Sequence, residues 1–276
     1  MVNMSLLDET KFLLRKYRIF PKKLLGQNFM VENSIFQYTS DYAALNPEDV
    51  VLDVGAGLGI LTRFLADRCK RVLAVEFDAK LVQALREQLQ NAVNVVIIKG
   101  DVLKVPIPTF NKVVSIPPYR ISSRLLLWLF SKNFDCAVSI FQTEFVNRLV
   151  ASIDSNDYGW LTVFAYYYAE IELLDAVPRW MFYPQPNVDS VIIRLRPHRL
   201  PPFKLINETL FKQMVKSLFT ERNRKVRNAV STFLKGVRGI AAEDAFKMAE
   251  ALPFRDKRVR ELAPEDFGAL ANALSH

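Results

Sequence analysis

Residues 50–59 read Val50-Val51-Leu52-Asp53-Val54-Gly55-Ala56-Gly57-Leu58-Gly59, an apolar run that ends in a cluster of glycines. The apolar run predicts a buried strand, and the glycines predict a sharp turn into a helix that begins near Ile60. A carboxylate, Asp53, precedes the glycines, which follow a Gly-x-Gly-x-Gly spacing. Because glycine has no Cβ, such a turn lets the backbone approach a bound nucleotide closely. This stretch therefore predicts the first strand and the nucleotide-binding turn of an α/β sheet.

On the C-terminal side of this turn, short apolar runs alternate with helical periodicity up to about residue 145. Further strands are predicted at residues 71–76, 93–99, 112–115 and 136–141, with helices at residues 60–68, 79–89 and 144–151. Strands that alternate with helices are typical of a parallel, doubly wound sheet whose crossovers are right-handed.

The pattern changes beyond about residue 160. Residues 188–195 alternate as a strand, and Pro197, Pro201 and Pro202 then interrupt the chain. Helices are predicted in the remainder at residues 207–219, 222–234, 241–252 and 264–274. We therefore expect an α/β domain with an N-terminal helical extension over residues 1–197, and a small all-helical domain over residues 198–276.

Two further acidic residues stand at predicted strand ends. Glu76 ends the second strand, 21 residues after Gly55, and Asp101 follows the third strand. A carboxylate at the first position can accept both hydroxyls of a ribose, and Asp101 could hold the amino group of an adenine. The Gly-x-Gly-x-Gly spacing and the preceding Asp53 favour S-adenosylmethionine over a dinucleotide. The structural alternative is a tight glycine turn with solvated acids at the strand ends.

The fourth predicted strand ends in the loop Ser115-Ile116-Pro117-Pro118-Tyr119. Methyl transfer from a sulfonium to an exocyclic amine requires orientation of the amine and needs neither a metal nor a strong base. The prolines leave backbone carbonyls as acceptors for that amine, and Tyr119 provides a ring on which an extruded base can stack. The candidate catalytic residues are Ser115, Ile116, Pro117 and Tyr119.

The net charge is +8, with a pI near 9.4, and it is unevenly distributed. Residues 197–276 contain 15 Lys and Arg against 9 Asp and Glu, a net charge of +6, and the rest of the chain carries +2. These side chains could simply be solvated, but they also suit a polyanion, because phosphate contacts supply most nucleic-acid affinity. The candidate phosphate contacts are Arg120, Arg124, Arg148, Arg222, Arg224, Lys225 and Arg227. Phe29 and Phe182 are candidate flanks of the target base, with ordinary core packing as the alternative.

Several classes of site are disfavoured by composition. Cys69, Cys136, His198 and His276 are the only cysteines and histidines, too few for a disulfide framework, a zinc site or histidine-based catalysis. The apolar runs are shorter than the ~20 residues that a membrane helix needs, and the N-terminus does not resemble a signal peptide. We therefore expect a cytoplasmic monomer without a metal and without a membrane partner.

Taken together, the motifs resemble the KsgA-type rRNA adenine N6-dimethyltransferases, and the resemblance covers nearly the whole chain. It rests on residues 23–29, 53–59, 76, 101, 115–119, 142–149, 182–190, 219–225 and 260–267. The resemblance implies a Rossmann-like class I methyltransferase domain followed by a small helical domain. It implies S-adenosylmethionine as cofactor, and as substrate paired adenines near the 3′ end of small-subunit rRNA, modified during ribosome biogenesis. The cofactor pocket would be lined by Gln27, Asn28, Met30, Gly55, Gly57, Glu76, Phe77, Asp101, Val102 and Ile116.

One position departs from the family pattern. The family's loop reads Asn-Leu/Ile-Pro-Tyr, and Ile116 takes the Asn position when Tyr119 is aligned. An isoleucine side chain cannot accept a hydrogen bond, whereas the Pro117 carbonyl can, and Ser115 could do so only after a shift of about 3.5 Å. The alternatives left open are a catalytically weak or inactive rRNA-binding assembly factor of the same fold, a large-subunit rRNA methylase, and a nicotinamide-dependent enzyme.

Overall fold

The computed structural model describes residues 4–22 and 26–275. Residues 23–25, which belong to the N-terminal motif quoted above, lie outside the described residues. The chain forms two compact units, one of Met1–Val146 with Ile171–Pro197 and one of Asn147–Glu170 with His198–His276. The predicted division after residue 197 assigned residues 147–170 to the first domain, whereas their contacts place them in the second unit.

The main sheet has the strand order β4-β3-β2-β5-β6-β9-β7. Its strands are β2 (Val50–Val54), β3 (Arg71–Glu76), β4 (Val95–Lys99), β5 (Lys112–Ser115), β6 (Cys136–Gln142), β7 (Ala169–Val177) and β9 (Ser190–Pro197). The parallel pairing predicted for β2 to β6 is confirmed. The strand predicted at residues 188–195 is β9, which runs antiparallel to β6 and makes the sheet mixed. Residues 178–189, which join β7 to β9, contain a three-residue 3-10 turn and the two-residue strand β8 but no α-helix.

A short antiparallel pair lies apart from the main sheet. β1 (Phe29–Met30) pairs with β8 (Phe182–Tyr183), and Met30 is opposite Phe182. The Val31 amide extends this pairing by donating to the Met181 carbonyl at 2.8 Å. The pairing joins the N-terminal segment to a segment about 150 residues later, which no local sequence pattern could predict.

Six helices of the described chain precede residue 150. They are α1 (Leu6–Lys16), α2 (Asn33–Tyr42), α3 (Ile60–Ala66), α4 (Ala79–Gln88), α5 (Ser122–Leu129) and α6 (Thr143–Leu149). α1 begins after Ser5, whose hydroxyl accepts from the Asp8 amide at 3.1 Å, and α4 begins after Asp78, whose carboxylate accepts from the Lys80 amide at 2.9 Å. α3 begins after Gly59, whose φ of 84° favours glycine.

One buried cation joins α2 to the sheet. The Lys112 ammonium of β5 donates to the carbonyls of Ala43 at 2.8 Å and Ala44 at 2.6 Å, where α2 ends. It also lies 3.2 Å from an Asp49 carboxylate oxygen, and both side chains are at most 10% exposed. This contact neutralises the end of the helix dipole and fixes the start of β5.

The second unit is helical apart from the first two residues of β7. It contains α7 (Trp160–Tyr168), α8 (Glu208–Phe219), α9 (Val226–Arg238), α10 (Ala242–Glu250) and α11 (Pro264–Ala273). Residues 160–168 join this unit because α7 is apolar on most faces and packs on α8, with Phe164 and Tyr167 ring centroids 5.9 and 5.4 Å from that of Phe211. No helix of the described chain combines the length and the apolar character that a bilayer crossing requires.

α9 begins four residues later than predicted. Residues 222–226 pair instead with residues 257–260: the Val226 amide donates to the Lys257 carbonyl at 2.8 Å, and the Val259 amide donates to the Arg224 carbonyl at 3.0 Å. The two basic sequence clusters, residues 222–227 and 255–260, therefore lie side by side. We call this pairing the basic ladder.

Candidate functional site

The carboxyl ends of β4, β3, β2 and β5 meet along one edge of the sheet, where the chain encloses a cavity of about 190 Å³. Strand ends of an open α/β sheet are where such folds bind ligands. Each residue predicted for the cofactor pocket lines this cavity: Gln27, Asn28, Met30, Gly55, Gly57, Glu76, Phe77, Asp101, Val102 and Ile116. Residues separated by up to 89 positions in sequence are therefore brought to one place.

The glycine turn after β2 is packed too closely for other residues. Gly55 and Gly57 have φ of 77° and 59°, in the left-handed region. A Cβ on Gly55 would lie 2.6 Å from the Pro118 Cδ, and one on Gly57 would lie 3.3 Å from the Phe29 ring. The turn thus contacts both the loop after β5 and the segment that carries β1, and it forms the floor of the cavity.

Two acceptors stand in the wall of the cavity at the next strand ends. Glu76 accepts from the Gly57 amide at 2.9 Å and from the Asp78 amide at 2.8 Å, so its carboxylate is held in one orientation. Burial raises the pKa of Glu76, although these amides favour the ionised form. Asp101 accepts from the Leu103 amide at 3.1 Å, which fixes one of its two oxygens.

Asp53 is a further carboxylate of the cavity wall and is 1% exposed. The Thr62 hydroxyl donates to its Oδ2 at 2.7 Å. Burial raises the pKa of Asp53 to about 7; the Thr62 hydrogen bond opposes this shift, and the charge of Glu76 adds to it. Asp53 is therefore a buried carboxyl that is repelled electrostatically by a second carboxylate, Glu76.

The loop after β5 keeps the register that the alignment on Tyr119 predicts. Ile116 lines the cavity, whereas Ser115 is fully buried as the last residue of β5, with its hydroxyl 3.1 Å from that of Ser139. The suggestion that Ser115 replaces the family's asparagine is therefore corrected, because the sheet pairing of Ser115 with Ser139 holds it away from the cavity.

Tyr119 is held at its hydroxyl and at its ring. Its hydroxyl lies 2.7 Å from the Ser190 hydroxyl, and its ring meets that of Phe182 edge-on, with centroids 6.3 Å apart. Burial raises the pKa of Tyr119 to about 12, so the phenol stays neutral. Phe182 itself is only 2% exposed and packs against Tyr119, which agrees with core packing, the alternative to its predicted place beside the target base. Phe29, the other predicted flank, lines the cavity beside Gly57.

The chain is similar to known proteins over most of its length. Residues 21–263 match the family model described as ribosomal RNA adenine dimethylase. The chain belongs to this family. It is 39% identical over 267 residues to a probable ribosomal RNA small subunit methyltransferase A of Methanosarcina mazei, covering 95% of this chain and 96% of that protein. It is 34% identical to the ribosomal RNA small subunit methyltransferase A of a Geobacillus strain, covering 97% and 96%.

Solved structures confirm the predicted Rossmann-like methyltransferase fold with C-terminal helices. A dimethyladenosine transferase from Plasmodium falciparum superposes with a TM-score of 0.74 at 24% identity, covering 88% of this chain and 95% of that one. The 23S rRNA methyltransferase ErmE gives a TM-score of 0.63 at 27% identity, covering 90% and 100%.

The basic residues predicted to contact RNA fall into separate places in this adenine dimethylase family member. Arg120 and Arg124 line the cavity and are exposed. Arg148 is exposed on α6. Among the described residues no group of three His, Cys, Asp or Glu is arranged to hold a metal ion.

The four predicted contacts of the basic ladder differ in how they are bonded. The Arg222 guanidinium donates to the Asn156 carbonyl at 2.7 Å and to the Ser155 carbonyl at 2.6 Å, so it holds a loop of its own unit. Arg227 lies 3.1 Å from Asp256 and is 33% exposed. Arg224 and Lys225 are 58% and 48% exposed, and their ion pairs are 3.1 and 3.5 Å long. The exposed pair is better placed for an external phosphate than Arg222.

Sequence reasoning missed several residues of the site. Gly26, Phe36, Leu58, Asp78 and Ile121 also line the cavity. Gly26 could have been recognised because it is the glycine of the N-terminal motif, and the structure gives it a φ of 66°. Ser190 ends the 182–190 motif, but nothing in its neighbourhood indicated that it bonds Tyr119.

Proposed function

We propose that this chain methylates N6 of adenine in ribosomal RNA, with S-adenosylmethionine as methyl donor, during ribosome biogenesis. The observation that carries the proposal is the order of the strand ends. Acceptors suited to an adenosyl group stand at β4 and β3, the glycine turn follows β2, and the loop with Tyr119 follows β5. The cofactor side of the site and the base side are thus neighbours on one sheet edge.

The residues of the cavity fit S-adenosylmethionine. Glu76 is held by two amides in an orientation that can accept ribose hydroxyls, and Asp101 can accept from the adenine amino group. The glycine turn gives a backbone surface that a Cβ would block at Gly55 and crowd at Gly57. Bound there, the cofactor would supply an electrophilic methyl group on a cationic sulfur.

The loop residues act on the acceptor base. Tyr119, fixed by Ser190 and Phe182, offers a neutral aromatic surface against which an extruded adenine can be oriented. The carbonyls of Pro118 and Tyr119 accept from Ile121 and Ser122 at 3.0 and 2.8 Å and so fix the turn itself. We assign the preceding Pro117 carbonyl as the acceptor for the N6 proton, since Ile116 has no polar side-chain atom.

The substrate side of the proposal is small-subunit rRNA. Relatives of 34–39% identity that cover nearly the whole chain are named small subunit methyltransferases. Arg120 and Arg124 at the cavity and the exposed residues of the basic ladder would contact phosphates. A substrate of this kind would place the protein in the cytoplasm, and its predicted monomeric state can be measured by sedimentation.

The test is incubation with methyl-labelled S-adenosylmethionine and small ribosomal subunits that lack adenine methylation. We expect label in N6-methylated adenines of the small-subunit rRNA, identified by nuclease digestion and mass spectrometry. Label confined to large-subunit rRNA would contradict the substrate assignment. Absence of label while the cofactor still binds would indicate an rRNA-binding assembly factor in place of an enzyme.

A further inference from the structure

The strand order and the spacing between strands indicate where each part of a bound adenosyl group would lie along the cavity. Asp101, Glu76 and Asp53 stand at the ends of β4, β3 and β2, and the loop that begins at Ile116 follows β5. Neighbouring strands are about 4.8 Å apart. An adenosyl group with its base at Asp101 and its ribose at Glu76 therefore brings its sulfur end to β2, beside Asp53 and next to the acceptor loop. This step rests on the proposed function.

In the part of the chain that the structure describes, no basic side chain forms an ion pair with Asp53. Its carboxylate is 1% exposed and accepts one hydrogen bond, from the Thr62 hydroxyl. The charged side chain that acts on it is Glu76, another buried carboxylate. Two buried carboxylates that face one cavity repel each other, and each is costly to ionise without a cation. A positively charged ligand group at this position would relieve both effects.

We propose that Asp53 is the counter-charge for the sulfonium of the methyl donor and thereby raises the affinity of the cavity for this cation relative to the uncharged thioether product. The donor and S-adenosylhomocysteine share the adenosine and the amino-acid tail. They differ by one methyl group and one positive charge, so a carboxylate at the sulfur end is the group that can distinguish them. Once the methyl group has left, the same carboxylate no longer attracts the product.

A dependence on pH follows. Because burial raises the pKa of Asp53 to about 7, the free protein holds this carboxyl largely protonated at pH 6, and binding of a cation there must release the proton. Affinity for the methyl donor should therefore fall as the pH is lowered through 7, while affinity for the product changes less. The charged groups that face this region are Glu76 of β3 and, in the cavity wall, Asp78, Asp101, Arg120 and Arg124.

The experiment is isothermal titration of the wild-type chain, Asp53→Asn and Asp101→Asn with S-adenosylmethionine and with S-adenosylhomocysteine. Asp53→Asn keeps the size of the side chain and an acceptor for Thr62, and it should weaken donor binding relative to product binding by about tenfold. Asp101→Asn makes the same chemical change at the adenine end and should weaken both ligands alike. Equal weakening of both ligands by Asp53→Asn would overturn the inference.

A second measurement needs no variant. Titrations of the wild-type chain at pH 6 in two buffers of different ionisation enthalpy count the protons released on binding, and at this pH the amino groups of both ligands are protonated. We expect release of a large fraction of one proton with the methyl donor and little with the product. Identical proton counts would overturn the inference while leaving the proposed function intact. Failure of both ligands to bind would instead contradict the proposed function.

Discussion

Tyr119 joins two parts of the chain that are distant in sequence. Its hydroxyl meets Ser190 at 2.7 Å, and its ring lies against Phe182. The ring therefore has a fixed position on the side of the site proposed for the base, whereas the residues that line the cavity do not include it. Its contribution to methyl transfer should accordingly be separable from cofactor binding.

We expect Tyr119→Ala to lower kcat by about 100-fold or more, because an extruded base loses its stacking surface and its orientation. The dissociation constant for S-adenosylmethionine should change little. Tyr119→Phe is the matched control, since it keeps the ring and removes only the bond to Ser190; we expect it to retain most of the rate. Normal turnover of the alanine variant would show that the base binds elsewhere.

Ile116 presents an apolar side chain to the cavity at the position where the family's loop carries Asn. Restoring an acceptor with Ile116→Asn should preserve or raise the methylation rate, because a preorganised polar contact in an active site is typically worth ~10²–10³ in rate. Ile116→Leu is the apolar control and should not raise the rate. A sharp loss of rate in Ile116→Asn at unchanged thermal stability would indicate that this loop is arranged differently from the family's loop.

Strands and helices could be predicted where a short stretch of sequence determines them. β2 to β6 are short apolar runs bounded by polar residues, and each lies within two residues of its predicted position. β9 was also recognised as a strand, but its antiparallel direction depends on which strand it meets, which periodicity does not encode. The start of α9 was misplaced because residues 222–225 pair with residues 257–260 before the helix begins.

The buried ammonium of Lys112 holds the end of α2 against β5. Lys112→Met should lower the free energy of unfolding by about 3–5 kcal/mol, because Asp49 loses its buried cation and the carbonyls at the end of α2 lose a donor. Lys70→Met is the matched control: its pair with Glu48 is 3.5 Å long and exposed, so a loss of at most about 1 kcal/mol is expected. Urea unfolding measures both. Equal losses would contradict the role assigned to Lys112.

At the scale of the whole molecule, the excess positive charge is concentrated in residues 197–276. The structure refines this distribution, since the basic ladder contains both cations used within the protein and cations open to solvent. Arg222 is bonded to two backbone carbonyls, whereas the Arg224 side chain is 58% exposed. Replacement of Arg224 should therefore affect RNA binding, whereas replacement of Arg222 should affect the stability of the protein.

We expect Arg224→Ala to weaken binding to an rRNA fragment and to reduce the slope of log affinity against log salt by about 1, with little change in melting temperature. Arg222→Ala should instead lower the melting temperature, because the Ser155 and Asn156 carbonyls lose their donor. Binding measured at several salt concentrations, together with thermal melts, separates the two effects. The opposite assignment of effects would contradict this division of roles.

The parts of the site that are short sequence motifs could be predicted, and the parts that depend on contacts between distant residues could not. Glycine turns and strand-end acids are short motifs, so Gly55, Glu76 and Asp101 could be recognised in the sequence and do meet at one cavity. The bond between Tyr119 and Ser190 spans 71 positions, and the burial of Phe182 depends on the pairing of β8 with β1. Such contacts follow from the assembled tertiary structure and leave no local signature.

The cavity-lining residues and the residue that bonds Tyr119 are also made at different times during synthesis of the chain. The residues that line the cavity run from Gly26 to Arg124, whereas the partner of the Tyr119 hydroxyl is residue 190. A nascent chain emerging from the ribosome exposes the cavity-lining residues well before Ser190, which holds the Tyr119 ring. The half-made chain therefore already contains the glycine turn and the strand-end acids, whereas β8, which pairs with β1, and Ser190, which bonds Tyr119, are synthesised later.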